Sequence, residues 1–276
     1  MTVCHRVTSL IPPFGMSFSD APLEVIGEII GNLQDDSAAL KVCSLTCLSL
    51  LPLCRKYIFR TITLMPRSRE AKLRDLPRYV TLFGTLLDTN SQIANYVRNL
   101  VYRMEIPDLK DESVSRILDK LHRIYYFELT SSKGQYVNWS ALRPSLRESL
   151  SHIIHSAIHL NISFIEAFSI DIFIPCISLI YLRLDSIIST VTDSYEHGYL
   201  KQDAVPRLQS LTLGNSCGRY MQNLVEAKRS KDVLVLDFSN LWTLSVSIGE
   251  DSDLAVFYAL MKVTKKLETL RYMGAY

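Results

Sequence analysis

Leu179-Ile-Tyr-Leu-Arg-Leu184 sets the reading of this chain, because the same phrase returns downstream. It comes back as Leu208-Gln-Ser-Leu-Thr-Leu213, Leu241-Trp-Thr-Leu-Ser-Val246 and Leu267-Glu-Thr-Leu-Arg-Tyr272. In each phrase apolar residues alternate over the closing positions, which is the period of a strand with one face buried. Similar short alternating segments lie at 97–102, 124–129 and 158–163. With Leu100, Phe127, Leu160, Leu182, Leu211, Leu244 and Leu270 taken as equivalent, the steps between them are 27, 33, 22, 29, 33 and 26 residues. Most of the gaps hold a helical pattern, at 112–121, 145–157, 220–228 and 254–264. The first of these sets Val114, Ile117, Leu118 and Leu121 on one face. Strand and helix in alternation predict an α/β chain built on a parallel sheet.

These phrases resemble the L-x-x-L-x-L strand of leucine-rich repeats, with the ladder asparagine of that family present only at Asn215. The resemblance covers residues 96–276 and implies an irregular strand-helix solenoid. In such a solenoid the side chains between the buried leucines point outward and can hold a protein substrate. Tyr181, Arg183, Gln209 and Thr212 are candidates in the first two phrases, and Thr243, Ser245, Thr269 and Arg271 in the last two. The competing reading for any one of them is a solvated position on a sheet face. The last phrase is followed by no polar capping element, which predicts an exposed final strand edge.

A different pattern governs the N-terminal part. Asp20-Ala-Pro-Leu-Glu-Val-Ile-Gly-Glu-Ile-Ile-Gly-Asn-Leu33 begins with a proline suited to a first helical turn and a glutamate near the positive end of the helix dipole. Ile26, Ile29, Ile30 and Leu33 then fall on one predicted apolar stripe. Asp35-Asp36-Ser37 offers a cap for a second helix carrying Leu40, Cys43 and Cys47, and Pro52 falls early in a third. Three helices this short bury too little surface to stand alone, so they need a partner, either the rest of the chain or another protein.

Pro22, Glu24, Ile26, Ile29, Ile30, Leu33, Leu40, Cys43, Leu45 and Cys47 together resemble an F-box, and Cys54-Arg-Lys-Tyr-Ile-Phe-Arg-Thr-Ile-Thr-Leu64 looks like the F-box exit found in basidiomycete fungal members. The resemblance implies a three-helix domain at 20–64 that docks on the Skp-type adaptor of a cullin-RING ubiquitin ligase. The residues it assigns to that contact are Pro22, Leu23, Ile26, Ile29, Ile30, Leu33, Leu40 and Cys43. The expected organisation is a flexible tail at 1–19, the F-box-like domain, linker helices at 65–95 and the repeat region.

Composition excludes several classes. A chain of 276 residues with 48% hydrophobic content is globular. The 30 basic and 28 acidic residues leave a net charge of +2, no basis for expecting nucleic acid or an anionic membrane as partner. The longest uncharged run in the apolar middle, 172–182, is interrupted by Pro175 and far short of the roughly 20 residues that span a bilayer. The Pro12-Pro13 break argues against a secretory leader, so the expected location is cytoplasmic or nuclear. Six scattered cysteines (4, 43, 47, 54, 176 and 217) without a Cys-x-x-Cys pair are expected to be buried thiols rather than zinc ligands. His152, His155 and His159 imitate a metal face, but His159 is expected to begin a strand. The stretch Arg67, Arg69, Lys72, Arg74 and Arg78 is expected to form a solvated linker helix without interleaved aromatics. No nucleophile elbow, Walker loop, dinucleotide loop or His-Glu-x-x-His motif is present, so no catalytic residue, cofactor or metal is expected.

The expectation is thus a non-catalytic substrate adaptor, with the Skp-type adaptor and an unspecified protein substrate as partners. Two alternatives stand beside it. One is an F-box scaffold not linked to degradation, and the other an α/β enzyme of unfamiliar site spacing, which would show a deep pocket with convergent titratable groups.

Overall fold

The computed structural model describes residues 21–65, 79–131, 135–188, 204–230 and 233–274. The tail expected at 1–19 and the basic stretch from Arg67 to Arg78 lie outside the described residues. The chain divides into two compact units, 1–58 and 59–276. Among the described residues it is a mixed α/β protein with eight α-helices and a nine-stranded parallel sheet.

The first unit holds α1 (Leu23–Gly31), α2 (Ser37–Thr46) and α3 (Leu51–Ile58). Pro22 precedes α1, and its carbonyl accepts from the backbone N–H of Val25 and Ile26 at 3.0 and 3.1 Å. Asp36 caps α2, its carboxylate accepting from the N–H of Ala38 at 3.1 Å and of Ala39 at 2.9 Å. This is the service an N-cap side chain performs for otherwise unpaired first-turn donors. Among the described residues, five buried side chains, Ile26, Ile30, Leu40, Leu50 and Cys54, make the core of the unit. Gly31 lets α3 approach, since a Cβ there would meet the Tyr57 hydroxyl at 3.1 Å.

The second unit carries β1 (Thr61–Leu64), α4 (Tyr79–Thr89), β2 (Asn99–Met104), α5 (Glu112–Leu118), β3 (Tyr126–Ser131) and the short β4 (Val137–Asn138). There follow α6 (Pro144–Ser156), β5 (His159–Glu166), β6 (Tyr181–Ile188), β7 (Ser210–Leu213) and α7 (Gly218–Glu226). A two-stranded ribbon of β8 (Lys228–Ser230) and β9 (Val233–Leu234) precedes β10 (Thr243–Ile248), α8 (Asp251–Val263) and β11 (Thr269–Gly274). Strands sit in chain order across the sheet, β1-β2-β3-β5-β6-β7-β10-β11, with β4 beside β5. Each pairing in this sheet is parallel.

Register explains the repeat. Leu100, Phe127, Leu160, Leu182, Leu211, Leu244 and Leu270 are successive lateral partners, so the equivalence read from the sequence is a physical row. Ile62 extends it into β1. Two residues on, Leu64, Tyr102, Leu129, Ile162, Leu184, Leu213, Val246 and Tyr272 form a second row. Both rows are buried except at Ile62, which is half-buried, and on β11, where Leu270 is 51% and Tyr272 68% exposed. The buried rows share one core with residues of α4, α5, α6, α7 and α8, including Phe83, Ile117, Leu150, Tyr220 and Val256. The opposite sheet face carries mostly polar side chains.

Strand entry is also repeated at the atomic level. The carbonyl of Ile158 accepts from Ile180 and Tyr181, that of Ile180 from Gln209 and Ser210, and that of Gln209 from Trp242 and Thr243, at 2.8–3.2 Å. Arg60, Arg98, Tyr125 and Trp242 do the same in their own places. This forked bond holds the first apolar residue of each phrase, such as Leu179 or Leu208, ahead of the ladder. The strands accordingly begin later than the pattern suggested, with Tyr181 rather than Leu179.

Two organisational expectations change. Phe59 to Leu64, read from sequence as the exit of the N-terminal domain, belongs to the second unit, because Ile62 and Leu64 enter its buried rows. Within the span read as linker, α4 places Val80, Phe83 and Leu87 in the sheet core. Between β5 and β6, the shortest step of the repeat, there is room only for a 3-10 turn at Ile170–Phe173. The expected helices at 112–121, 145–157, 220–228 and 254–264 are present with shifted ends.

Candidate docking surfaces

In the first unit, the eight residues assigned to a partner contact divide by exposure. Pro22 is exposed, Leu23 is 59% and Ile29 44% exposed, while Leu33 and Cys43 are half-buried. Ile26, Ile30 and Leu40 are buried in the unit's own core and present no surface for docking. The single apolar stripe expected on α1 is therefore two faces: Ile26, Ile30 and Leu33 turn inward, and Val25 and Ile29 outward. Helix α2 is split in the same way. Leu40 and Cys43 face the core, whereas Val42 is 62% and Leu45 87% exposed, and Leu48 in the turn beyond is 86% exposed. Val25, Val42 and Leu48 were not among the sequence-derived candidates. The signal for them was an excess of apolar positions over what one short helix face can bury.

On the open face of the sheet, register defines two rows. The first runs Asn99, Tyr126, His159, Tyr181, Ser210, Thr243 and Thr269. The second runs Val101, Glu128, Asn161, Arg183, Thr212, Ser245 and Arg271. Seven of the eight candidates from the sequence, all but Gln209, stand in these rows. Gln209 precedes β7 and matches Ile180 and Trp242; the partner of Tyr181 is Ser210. Gln209 instead lines a recess of about 680 Å³ at the strand entries, with Ile177, Ile180, Arg207 and Asp237.

Sequence reasoning missed the aromatic part of this face. Tyr181 stacks on His159 with ring centroids 4.1 Å apart and planes 8° from parallel. Beside them the Tyr126 hydroxyl donates to Glu128 Oε2 at 2.8 Å. Burial and the Glu128 carboxylate raise the Tyr126 pKa, against the opposing influence of Asn161 and Arg183. Burial lowers the pKa of His159. The frame Ile124-x-x-Phe127-x-Leu129 carried the same signal as the four quoted phrases, with Phe and Ile in place of Leu.

The sheet also has a polar junction near the C-terminal ends of β6 and β7. Asn215 accepts from the Ser247 hydroxyl at 2.7 Å through its side chain and from the Ser186 N–H at 2.7 Å through its carbonyl. Asp185 accepts from the Asn215 N–H at 3.1 Å and the Ser186 hydroxyl at 3.2 Å. A Cβ on Gly214 would lie 2.4 Å from the Asp185 carboxyl carbon, so this packing requires glycine. Cys217 lies nearby, its thiol pKa pushed up to about 12 by burial.

Of the described cysteines, Cys54, Cys176 and Cys217 are buried, but Cys43 and Cys47 are only half-buried, unlike the expectation for them. Among the described residues no group of three His, Cys, Asp or Glu is arranged to hold a metal ion. His159 is the first residue of β5, while His152 and His155 lie on α6. No helix among the described residues is long and apolar enough to cross a membrane. No protein-family model matches the chain, and no curated protein matches it.

Proposed function

We propose that this chain is the substrate-recognition adaptor of an SCF-type (Skp-cullin-F-box) ubiquitin ligase. In this reading the first unit is an F-box and the second an irregular leucine-rich-repeat-like solenoid. The observation that carries it is the exposure of Leu23, Ile29, Val42, Leu45 and Leu48 on a unit whose core, among the described residues, holds five buried side chains. A unit that leaves this many large apolar side chains exposed is suited to being completed by a partner. The second unit supports the reading by offering a broad, mostly polar sheet face to a protein substrate.

The chain performs no bond-breaking step and needs no cofactor. Other subunits supply the ubiquitin chemistry, and the adaptor raises the effective concentration of a substrate lysine near the charged ubiquitin-conjugating enzyme. Such a role belongs to the cytoplasm or nucleus.

The test is co-purification of the full chain with a Skp-type adaptor, wild type against a Leu45→Asp, Leu48→Asp double variant. Both side chains are outside the core, so the variant keeps its fold. A stable wild-type complex that the variant weakens more than about tenfold is expected from burying two charges in an apolar contact. Absence of a wild-type complex, or a complex indifferent to both substitutions, overturns the reading.

A further inference from the structure

The second open-face row ends, over β6, β7, β10 and β11, in the sequence Arg183, Thr212, Ser245, Arg271, with each residue the lateral partner of the next. The parallel row beside it is Tyr181, Ser210, Thr243, Thr269. These eight positions hold two arginines, one tyrosine and five hydroxyl residues, and no carboxylate. Arg183 and Arg271 are exposed, and neither makes a hydrogen bond or ion pair among the described residues. The five hydroxyls likewise make no side-chain hydrogen bond among the described residues. Ser245 stands at the middle of the floor, 7% exposed, and its hydroxyl makes no hydrogen bond among the described residues, so it can donate to an acceptor placed above it.

Charge decides the ligand. The nearest carboxylate along β6, Asp185, is engaged by Asn215 and Ser186. Glu128, two strands from Arg183, already accepts from Tyr126. The eight positions of the floor themselves carry two positive charges, hydroxyl donors and no carboxylate. We infer that this floor binds an extended acidic peptide segment running across the strands, with one carboxylate at Arg183 and another at Arg271. This deepens, and rests on, the reading of the sheet face as a substrate surface.

The spacing sets the motif. Arg183 and Arg271 are separated by three inter-strand steps of roughly 4.8 Å, about 14 Å in all. An extended peptide advances about 3.3 Å per residue, so acidic residues four apart reach both arginines from the same peptide face. The residues between them lie over Thr212 and Ser245, where a peptide carbonyl can accept from a hydroxyl. Each anion meets a single guanidinium, which fits a singly charged carboxylate. A phosphate group, with twice the charge, is better served by arginines gathered at one point.

The test is fluorescence anisotropy with the full chain and a short labelled peptide of Gly, Ser and Thr carrying two aspartates four residues apart. Comparison peptides carry asparagines at both positions, aspartates two apart, or phosphoserines four apart. Saturable binding is expected for the first peptide, weakened roughly tenfold by Arg183→Gln or Arg271→Gln and several-fold by Ser245→Ala. Arg103→Gln, an exposed arginine of β2 on the same face, should leave it unchanged. No saturable binding up to about 1 mM, equal binding of the asparagine peptide, or indifference to both arginine variants overturns the inference. Binding of the phosphoserine peptide alone overturns the carboxylate in favour of phosphate. Adaptor co-purification is read through the first unit, so failure here leaves that result standing, and the reverse holds too.

Discussion

At the residue scale, burial separates side chains of the same chemical type. Cys217 is buried and its thiol pKa is pushed up to about 12, so it is protonated and shielded. Cys47, half-buried, has its pKa lowered, first by the Ser49 hydroxyl and then by the Ser49 backbone N–H. Brief alkylation of the native chain at mildly alkaline pH should therefore modify Cys47 before Cys54, Cys176 or Cys217, read by peptide mass mapping. Modification of Cys217 at the rate of Cys47 would contradict the packing around Asn215. His155 makes a second case: burial first, and then the charge of His152, lower its pKa from 6.5. Protonation is thus disfavoured more in the folded than in the unfolded chain. The stability this represents is complete above about 6.5 and is lost as pH falls from there toward the lower folded value. Urea midpoints at about pH 7.5 and 5.5 should fall further for wild type than for His155→Gln, and equal losses would remove His155 from the account. Neither contrast was legible in the sequence, because a Cys or His carries no mark of how many atoms the fold will place around it.

At the element scale, the strand is the unit that repeats. Leu182 is 2% exposed in the middle of the buried row, and Leu270, its counterpart three strands on, is 51% exposed at the edge. Leu182→Ala should cost about 2–5 kcal/mol by lost burial and an unfilled cavity, while Leu270→Ala should cost under about 1 kcal/mol. Chemical denaturation measures both, and equal costs would mean that β11 is covered in solution. The row itself was legible, since alternation fixes which side of a strand is buried and parallel pairing needs only that each turn of the repeat offer one leucine-like residue in the same place. Strand starts were not, because the forked bond at the carbonyls of Ile158, Ile180 and Gln209 is a contact between neighbouring repeats. Gln209 was misplaced for that reason, one position before the strand it was assigned to.

At the scale of the whole molecule, the two units differ in how much each buries. Among the described residues the first has five buried core residues and the second a single continuous core reached by α4, α5, α6, α7 and α8. Backbone amides of α1 to α3 should exchange with solvent faster than those of β5 and β6, and the proposed adaptor contact should protect them. Hydrogen-exchange mass spectrometry tests this, and equal protection in the free chain would show the first unit to be complete without a partner. The sequence by itself determined the α/β class, the equivalent leucine row and the three N-terminal helices, because periodicity and capping act over a few residues and are written locally. Only the tertiary structure decided that Phe59 to Leu64 joins the sheet, that Ile26, Ile30 and Leu40 are internal while Leu45 and Leu48 are not, and that Arg183, Thr212, Ser245 and Arg271 stand in line. The physical reason is that burial and lateral register are properties of pairs of elements distant in sequence, and no single segment specifies its neighbour.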